Sequence, residues 1–271
     1  MYVETRLGRW FYEEHGQAKR EGDPAIVLWH SFLCDGGMWR GQIGPLSELG
    51  RVIVFDGPGH GRTEPSGRFS LWTNAHAAVD ALSELGVDKA VWCGVSWGGM
   101  IGMRLAVAHP DRVAALALVD TSPLRDTRKN RLKYTALSWS VRPFGIPKPV
   151  FERMMGAKLL GATTLRERPE LVGQLWERTS RFPIEGVFQA ARAILLERDD
   201  VTARLREVRC PTLVVFGDED RVLPIACAHA ITDNVAGSRL QMIHGAGHLA
   251  PLERPEAFND VLLPFVRERM G

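Results

Sequence analysis

Ser96 stands in Gly94-Val95-Ser96-Trp97-Gly98, after the apolar run Val91-Trp92-Cys93 and before an apolar pattern of helical spacing. A serine hydroxyl becomes a competent nucleophile only where a base takes its proton as it attacks. Strand, sharp turn and helix in this order describe a nucleophile elbow, which lifts the serine above the edge of a sheet. Gly94 and Gly98 supply the smallness such a turn needs, because a Cβ at either position would crowd the reversed chain. The helix that follows aims free N–H groups and the positive end of its dipole at the serine, which favours an anion developing there. The chemistry expected is acyl transfer.

A base and a carboxylate to orient it must come from elsewhere in the chain. On a sheet carrying such an elbow they follow the serine in the order acid, then histidine, each at a strand's carboxyl end. Two late loops satisfy this: Gly217-Asp218-Glu219-Asp220 and Gly245-Ala246-Gly247-His248. The first offers three carboxylates, and residue type alone leaves Asp218, Glu219 and Asp220 open. Of eight histidines, His248 lies within a glycine-flanked loop, whereas its nearest rival, His244, sits at the end of the preceding strand. His60 reads as a structural loop histidine and His30 as a brace for its own loop. His15, His76, His109 and His229 have no supporting context. No histidine shares metal-ligand spacing with carboxylates or cysteines, so neither a metal nor a cofactor is expected.

The oxyanion of a tetrahedral intermediate requires hydrogen-bond donors. The backbone N–H of Trp97 and that of Phe32, in the loop after the apolar strand Ala25–Trp29, are the expected pair. Their side chains are then free to shape the acyl pocket. Phe32 and Trp97 are therefore candidate lining residues, together with Trp139, Phe144 and Leu249.

The elements that must position these groups can be read from hydrophobic periodicity. Residues 2–6 and 10–14 alternate as a hairpin. Buried strands are expected at Ala25–Trp29, 51–55, Val113–Val119, 212–216 and Arg239–Ile243, with helices over 39–49, 72–85, 98–109, 224–231 and 255–269. Gly86 suits a helix C-cap, and Pro110 stops the helix after the elbow. From residue 122 to 209 the strand–helix rhythm breaks. That stretch shows helical patterns divided by Pro143, Pro147, Pro149, Pro169 and Pro183, as expected of an insertion outside the sheet.

With 271 residues, 45% hydrophobic and 24% charged, the chain has room for one large α/β domain with an insertion. A net charge of +2 gives no reason to expect a nucleic-acid or membrane partner. The four cysteines show neither metal nor disulfide spacing. Residues 1–9 lack the apolar core of a signal peptide, and no apolar run approaches a membrane span. A cytoplasmic enzyme acting on a small molecule is expected. Charge is unevenly distributed: residues 122–209 hold 18 Lys and Arg against 10 Asp and Glu, so that the remainder carries a net −6. A basic roof over the site would attract anionic substrates.

Taken together, His30-Ser31-Phe32, Asp56-x-Pro58-Gly59-His60-Gly61-x-Thr63, Gly94-Val95-Ser96-Trp97-Gly98-Gly99, Gly217-x-x-Asp220-x-x-x-Pro224 and Gly245-x-Gly247-His248 resemble the α/β-hydrolase superfamily over nearly the full chain. The resemblance implies an α/β fold with an eight-stranded, mostly parallel sheet and helices on both faces. It implies a core formed by residues 1–121 and 210–271 and a helical cap over 122–209. It also selects Asp220 as the acid, so that Ser96, Asp220 and His248 form the implied triad. Within the superfamily the chain is similar to small carboxylesterases and 3-oxoadipate enol-lactonases, Ser31 after the histidine being the feature shared with the latter. Carbon–carbon hydrolases of aromatic degradation, cofactor-free perhydrolases or haloperoxidases, and non-catalytic small-molecule receptors are built on the same plan. Ser96 argues against haloalkane dehalogenases and epoxide hydrolases, which use aspartate there. With apolar residues such as Leu137, Phe151 and Trp176 available to the insertion, a medium-sized apolar ester or lactone is the expected substrate, with a carboxylate-bearing one as the alternative.

Overall fold

The computed structural model describes residues 1–142 and 145–270. Short β-branched and aromatic runs form eight strands: β1 (Tyr2–Thr5), β2 (Gly8–His15), β3 (Ala25–Trp29), β4 (Val52–Phe55), β5 (Ala90–Val95), β6 (Val113–Val119), β7 (Thr212–Gly217) and β8 (Arg239–Ile243). They make a single sheet in the order β1-β2-β4-β3-β5-β6-β7-β8. The β1–β2 hairpin and the β2–β4 pairing are antiparallel, and every later pairing is parallel. Every residue of β3, β4 and β5 is buried, which is why these runs are apolar throughout. At the edge, β8 keeps solvent-exposed residues at alternate positions.

Helices cover both faces of the sheet. α1 (Arg40–Ser47), α2 (Leu71–Glu84) and α3 (Trp97–Ala108) follow β3, β4 and β5 respectively. Residues of α2 and α3 such as Leu82 and Met103 pack with Trp29 and Trp92 on one face. Leu46 of α1 packs with Phe258 and Leu262 on the other. Ser70 caps α2 by accepting a hydrogen bond from the Thr73 amide at 3.0 Å. Gly86 ends it at φ +65°, in the left-handed region that glycine enters without strain. α1 forms despite Gly41, Gly44 and Pro45, entered through a 3₁₀ turn at Gly36–Trp39 whose Gly36 amide donates to Asp56 and whose Gly37 and Met38 amides donate to Asp35.

Between β6 and β7 the described residues form helices and connecting turns. These are α4 (Arg128–Val141), α5 (Lys148–Phe151), α6 (Ala157–Leu159), α7 (Ala162–Glu167), α8 (Glu170–Thr179) and α9 (Ile184–Ala191). The segment is tied down to the sheet domain at several points. Arg104 on α3 pairs with Asp199 at 2.6 Å, Arg178 pairs with Asp35, and the Thr179 hydroxyl donates to the Leu33 carbonyl at 2.8 Å. After β7 come α10 (Ala226–Thr232), α11 (Ala250–Glu253) and α12 (Pro255–Arg267). The short α11 has no counterpart in the periodicity reading, since one helical turn is too brief to display a period.

The strand order has a consequence for function. The chain winds from β3 to β4 on one side and continues through β5 on the other, so the loops leaving β3 and β5 diverge at their carboxyl ends. Ligand crevices of open parallel sheets form at such a switch point. Phe32 and Ser96 leave the sheet on either side of it.

Candidate active site

Ser96 links β5 to α3 at φ +49° and ψ −101°, a conformation that costs a non-glycine residue on the order of 1–3 kcal/mol. Three hydrogen bonds hold it there. The Ser96 amide donates to the Val119 carbonyl at 2.8 Å, while its own carbonyl accepts from the Thr121 hydroxyl at 2.6 Å and the Met100 amide at 2.9 Å. The glycines around the turn are required by close approach. A Cβ at Gly94 would collide with the backbone of Gly98, one at Gly98 would lie 2.5 Å from the Trp29 carbonyl oxygen, and one at Gly99 would lie 2.6 Å from Thr121 Cβ.

The two late loops bring an acid to a base. His248 Nδ1 lies 2.8 Å from Asp220 Oδ2, and both side chains are only 2% exposed. The other carboxylate oxygen, Asp220 Oδ1, accepts the amides of Val222 at 2.7 Å and Leu223 at 3.1 Å, which fixes the carboxylate plane. A carboxylate at Nδ1 selects the tautomer with its proton there and leaves Nε2 as the acceptor. Burial by itself would depress the His248 pKa. The charge of Asp220 and the hydrogen bond to it, with smaller contributions from Asp120 and Glu253, outweigh this and hold the imidazole above its ordinary value. Ser96 and His248 line one chamber of about 180 Å³.

The competing carboxylates are engaged elsewhere. Asp218 bonds to His244 Nδ1 at 2.9 Å and to the Gly245 amide at 2.8 Å, in a pair whose imidazole is 90% exposed. Glu219 accepts from the Thr163 amide and hydroxyl of α7 at 2.7 and 2.6 Å. Of the three carboxylates in the loop, Asp220 is the one bonded to His248.

Two further buried acids support the arrangement and were missed by motif reading. Asp120, fully buried just after β6 at φ +44°, accepts the Gly217 amide at 2.8 Å and lies 3.4 Å from the Ala250 amide, so it spans the acid loop and the histidine loop. Burial, reinforced by the neighbouring Asp220 charge, holds its pKa well above the usual carboxylate range. Its signal was an aspartate at the carboxyl end of a fully apolar strand. Glu253 accepts the amides of Gly247 and Leu249, each at 3.0 Å, and that of Gly161 at 2.7 Å. One carboxylate thus braces the histidine loop and anchors the helical insertion. A charged residue inside the short α11 gave no periodic signal.

The amides of Phe32 and Trp97 donate no hydrogen bond among the described residues, as donors reserved for an oxyanion would. His30 braces this region: its Nε2 accepts from the Gly57 amide at 2.7 Å and its Nδ1 lies 2.7 Å from the Ser31 carbonyl. His60 is fully buried among His30, Trp97 and Phe182, and burial pushes its pKa down to about 3.

The expected lining residues divide. Phe32 faces the chamber. Trp97 does not: its indole packs edge-on against Trp29 and His30 in the core, in space kept open by Gly57, where a Cβ would come within 2.7 Å. The elbow exposes the Trp97 amide while sending its side chain under the loops. Leu249 is fully buried in the opposite core cluster, with Trp39 and Phe258, because the chain turns into α11 directly after His248. Trp139 is 57% exposed. On α4 the residues at helical spacing Tyr134 and Leu137 take the chamber side, while Trp139 and Leu132, seven apart, share the outer face. Phe144 lies outside the described residues.

Residues of the helical segment between β6 and β7, including Asp126, Tyr134, Leu137 and Arg198, line the chamber together with Phe32, Ser96 and His248. Among the described residues, no group of three or more His, Cys, Asp or Glu could hold a metal ion, and no helix is long and apolar enough to cross a membrane. All four cysteines are free. The arrangement provides a serine at the carboxyl end of β5, a histidine whose Nε2 is left as acceptor, a fixed carboxylate and two free amides, which together are the parts needed for acyl transfer.

Comparison with known proteins agrees with this fold. The alpha/beta hydrolase fold family matches residues 24–255. The chain is 26% identical over 255 residues to 3-oxoadipate enol-lactonase 1 of Acinetobacter baylyi, covering 91% of this chain and 90% of that protein. It is 26% identical over 267 residues to 2-hydroxy-6-oxo-6-phenylhexa-2,4-dienoate hydrolase of Comamonas testosteroni, covering 95% and 91%. Among solved structures, a thermophilic esterase from Thermogutta terrifontis superposes with a TM-score of 0.90 at 28% identity, over 100% of this chain and 99% of the other.

Proposed function

The chain belongs to the α/β-hydrolase fold family, and from that premise we propose that it cleaves carboxylic esters or lactones through Ser96, His248 and Asp220. The observation that carries this reading is the buried Asp220–His248 hydrogen bond at 2.8 Å, on a histidine that lines the same chamber as the elbow serine. His248 Nε2 takes the Ser96 proton as Oγ attacks the carbonyl carbon, and the resulting oxyanion is received by the Phe32 and Trp97 amides. Collapse of that intermediate breaks the bond to the leaving oxygen, to which His248 returns the proton, leaving an acyl ester on Ser96. Water, deprotonated by the same histidine, then attacks the acyl carbon and releases the acid and the free serine. Asp220 holds the ring and stabilises the imidazolium without itself taking the proton. Residues 122–209 act as the cap that roofs this reaction and fills the substrate side of the chamber.

Labelling with a fluorophosphonate probe tests the activation of Ser96, and multiple turnover of p-nitrophenyl acetate tests the enzyme reading. Labelling that is lost in Ser96→Ala, with sustained multiple turnover of the ester by the parent protein, is the expected result. Stoichiometric labelling without turnover would point to a small-molecule receptor on the same fold, and absence of labelling would overturn the role of Ser96.

A further inference from the structure

The chamber has a charge pattern that the catalytic parts do not explain. Besides His248, the charged residues lining it are Lys133, Lys158, Arg198, Arg221 and Asp126, four cations to one carboxylate. Lys133, Lys158 and Arg221 are exposed and make no ion pair among the described residues. Arg198 is different, being 7% exposed. Its Nη2 pairs with Asp126 Oδ2 at 3.1 Å and its Nη1 meets only Met100 Sδ at 3.6 Å. Its buried Nε has no partner among the described residues. A guanidinium carries five N–H donors, so this one retains donors that Asp126 does not use. Burying a cation with donors unspent is costly unless an anion arrives to take them.

A second chamber of about 100 Å³ adjoins the first, sharing Phe32, Leu33, Tyr134, Leu137 and Leu195 as the common wall. Its only charged lining residue among the described residues, Arg142, is turned to Glu185 at 2.9 Å and lies over the Phe188 ring at 4.4 Å. One side of the wall is therefore apolar, and the other is cationic and holds the nucleophile.

We propose that Arg198, with Lys133, Lys158 and Arg221 at the mouth, forms a carboxylate subsite, and that the substrate is an ester or lactone bearing a carboxylate at one end and an apolar arm at the other. The proposal rests on the hydrolase reading above and adds to it the class of substrate. Arg198 binds the carboxylate through its unused donors. The three exposed cations raise the local concentration of anions, an effect that salt screens.

The test compares kcat/KM for p-nitrophenyl pentanoate and mono-p-nitrophenyl glutarate, equal in acyl length and differing in a terminal carboxylate, over a salt series. The glutarate ester is expected to be preferred by about tenfold at low salt, the worth of one charge-assisted hydrogen bond, with the preference falling as salt rises. Lys158→Gln and Arg221→Gln, at exposed positions that pose no folding risk, each reduce the preference by about twofold. The double variant Asp126→Asn/Arg198→Gln leaves no unpaired buried charge and should abolish the part that survives high salt. Arg198→Lys restores some of it by returning a cation without the planar fork. Turnover of the pentanoate ester with no preference for the glutarate ester, or a preference that all of these variants retain, overturns the subsite alone. Turnover of neither ester overturns the hydrolase reading and the subsite with it.

Discussion

Two aspartate–histidine pairs stand within a few residues of each other, and of their two imidazoles only that of His248 lines the chamber that Ser96 lines. Asp220–His248 and Asp218–His244 have nearly equal contact distances, 2.8 and 2.9 Å, and both join the loop after β7 to the end of β8 or its loop. Their surroundings are opposite. In the first, both side chains are 2% exposed and the imidazole opens onto the chamber that Ser96 lines; in the second, the imidazole is 90% exposed at the surface. Water and salt screen the outer pair, so its attraction contributes little. The inner pair sits in a low-dielectric site where a fixed carboxylate shifts both the tautomer and the proton affinity of the ring. The contact itself is common to both pairs; what separates them is where the fold places each.

The comparison is broken most severely at the inner histidine. His248→Ala, like Ser96→Ala, is expected to lower kcat for an activated ester by roughly 10⁴–10⁶-fold, since the two act as a unit. Turnover of purified His248→Ala within tenfold of the parent protein would refute the inner pair as the base and its orienter. Asp220→Asn should follow, at roughly 10³–10⁴-fold in kcat, because an amide at Nδ1 favours the wrong tautomer. Asp120→Asn is expected to cost about tenfold at most, because it keeps an acceptor for the Gly217 amide and alters only the positioning of the two loops. If Asp120→Asn proved as damaging as Asp220→Asn, the acid would have to be reassigned to the end of β6.

The pH profile sharpens the same contrast. The base must be neutral, so kcat/KM rises with pH through the His248 pKa. Since that pKa is held above the ordinary imidazole value of 6.5 by Asp220 against the effect of burial, the acid limb should lie above 6.5. In Asp220→Asn the lowering effect of burial is left less opposed, and the limb of the residual activity should move down. An unchanged limb would mean that Asp220 does not set the charge on His248. The smallest effect is assigned to the outer pair: His244→Ala and Asp218→Asn should each leave kcat/KM within about twofold, as surface substitutions usually do. A larger loss in either would show that the outer pair reaches the reaction.

Much of this is legible in the sequence. β3, β6 and β8 were readable to the residue because strands buried on both faces or ending in loop signals interrupt the chain sharply. The elbow was readable because Gly94 and Gly98 have no substitute where backbone approaches backbone. Pocket residues were harder. Trp97 and Leu249 lie beside Ser96 and His248 in sequence, yet a turn of the chain sends each into a core cluster. Trp139 was misplaced because helical phase, and not hydrophobicity, decides which side of α4 a residue takes. Arg198 looked like one of many basic residues of the insertion until its burial beside Asp126 set it apart.

By itself, the sequence determined the α/β class, the strand order in time, the serine turn and the loops from which acid and base must come. These depend on local periodicity, on glycine where a Cβ cannot fit, and on the chemical poverty of side chains able to activate a hydroxyl. The motif already marked Asp220; only the tertiary structure placed its carboxylate against His248 and turned Asp218 to His244, and only it decided that Asp120 and Glu253 brace the two loops and that Arg198 is buried with donors unspent. Those facts depend on burial and on contacts between residues far apart in the chain, such as Gly161 with Glu253 and Asp120 with Gly217. A one-dimensional pattern specifies which groups are available; desolvation and through-space charge, which exist only once the chain is folded, decide what each of them does.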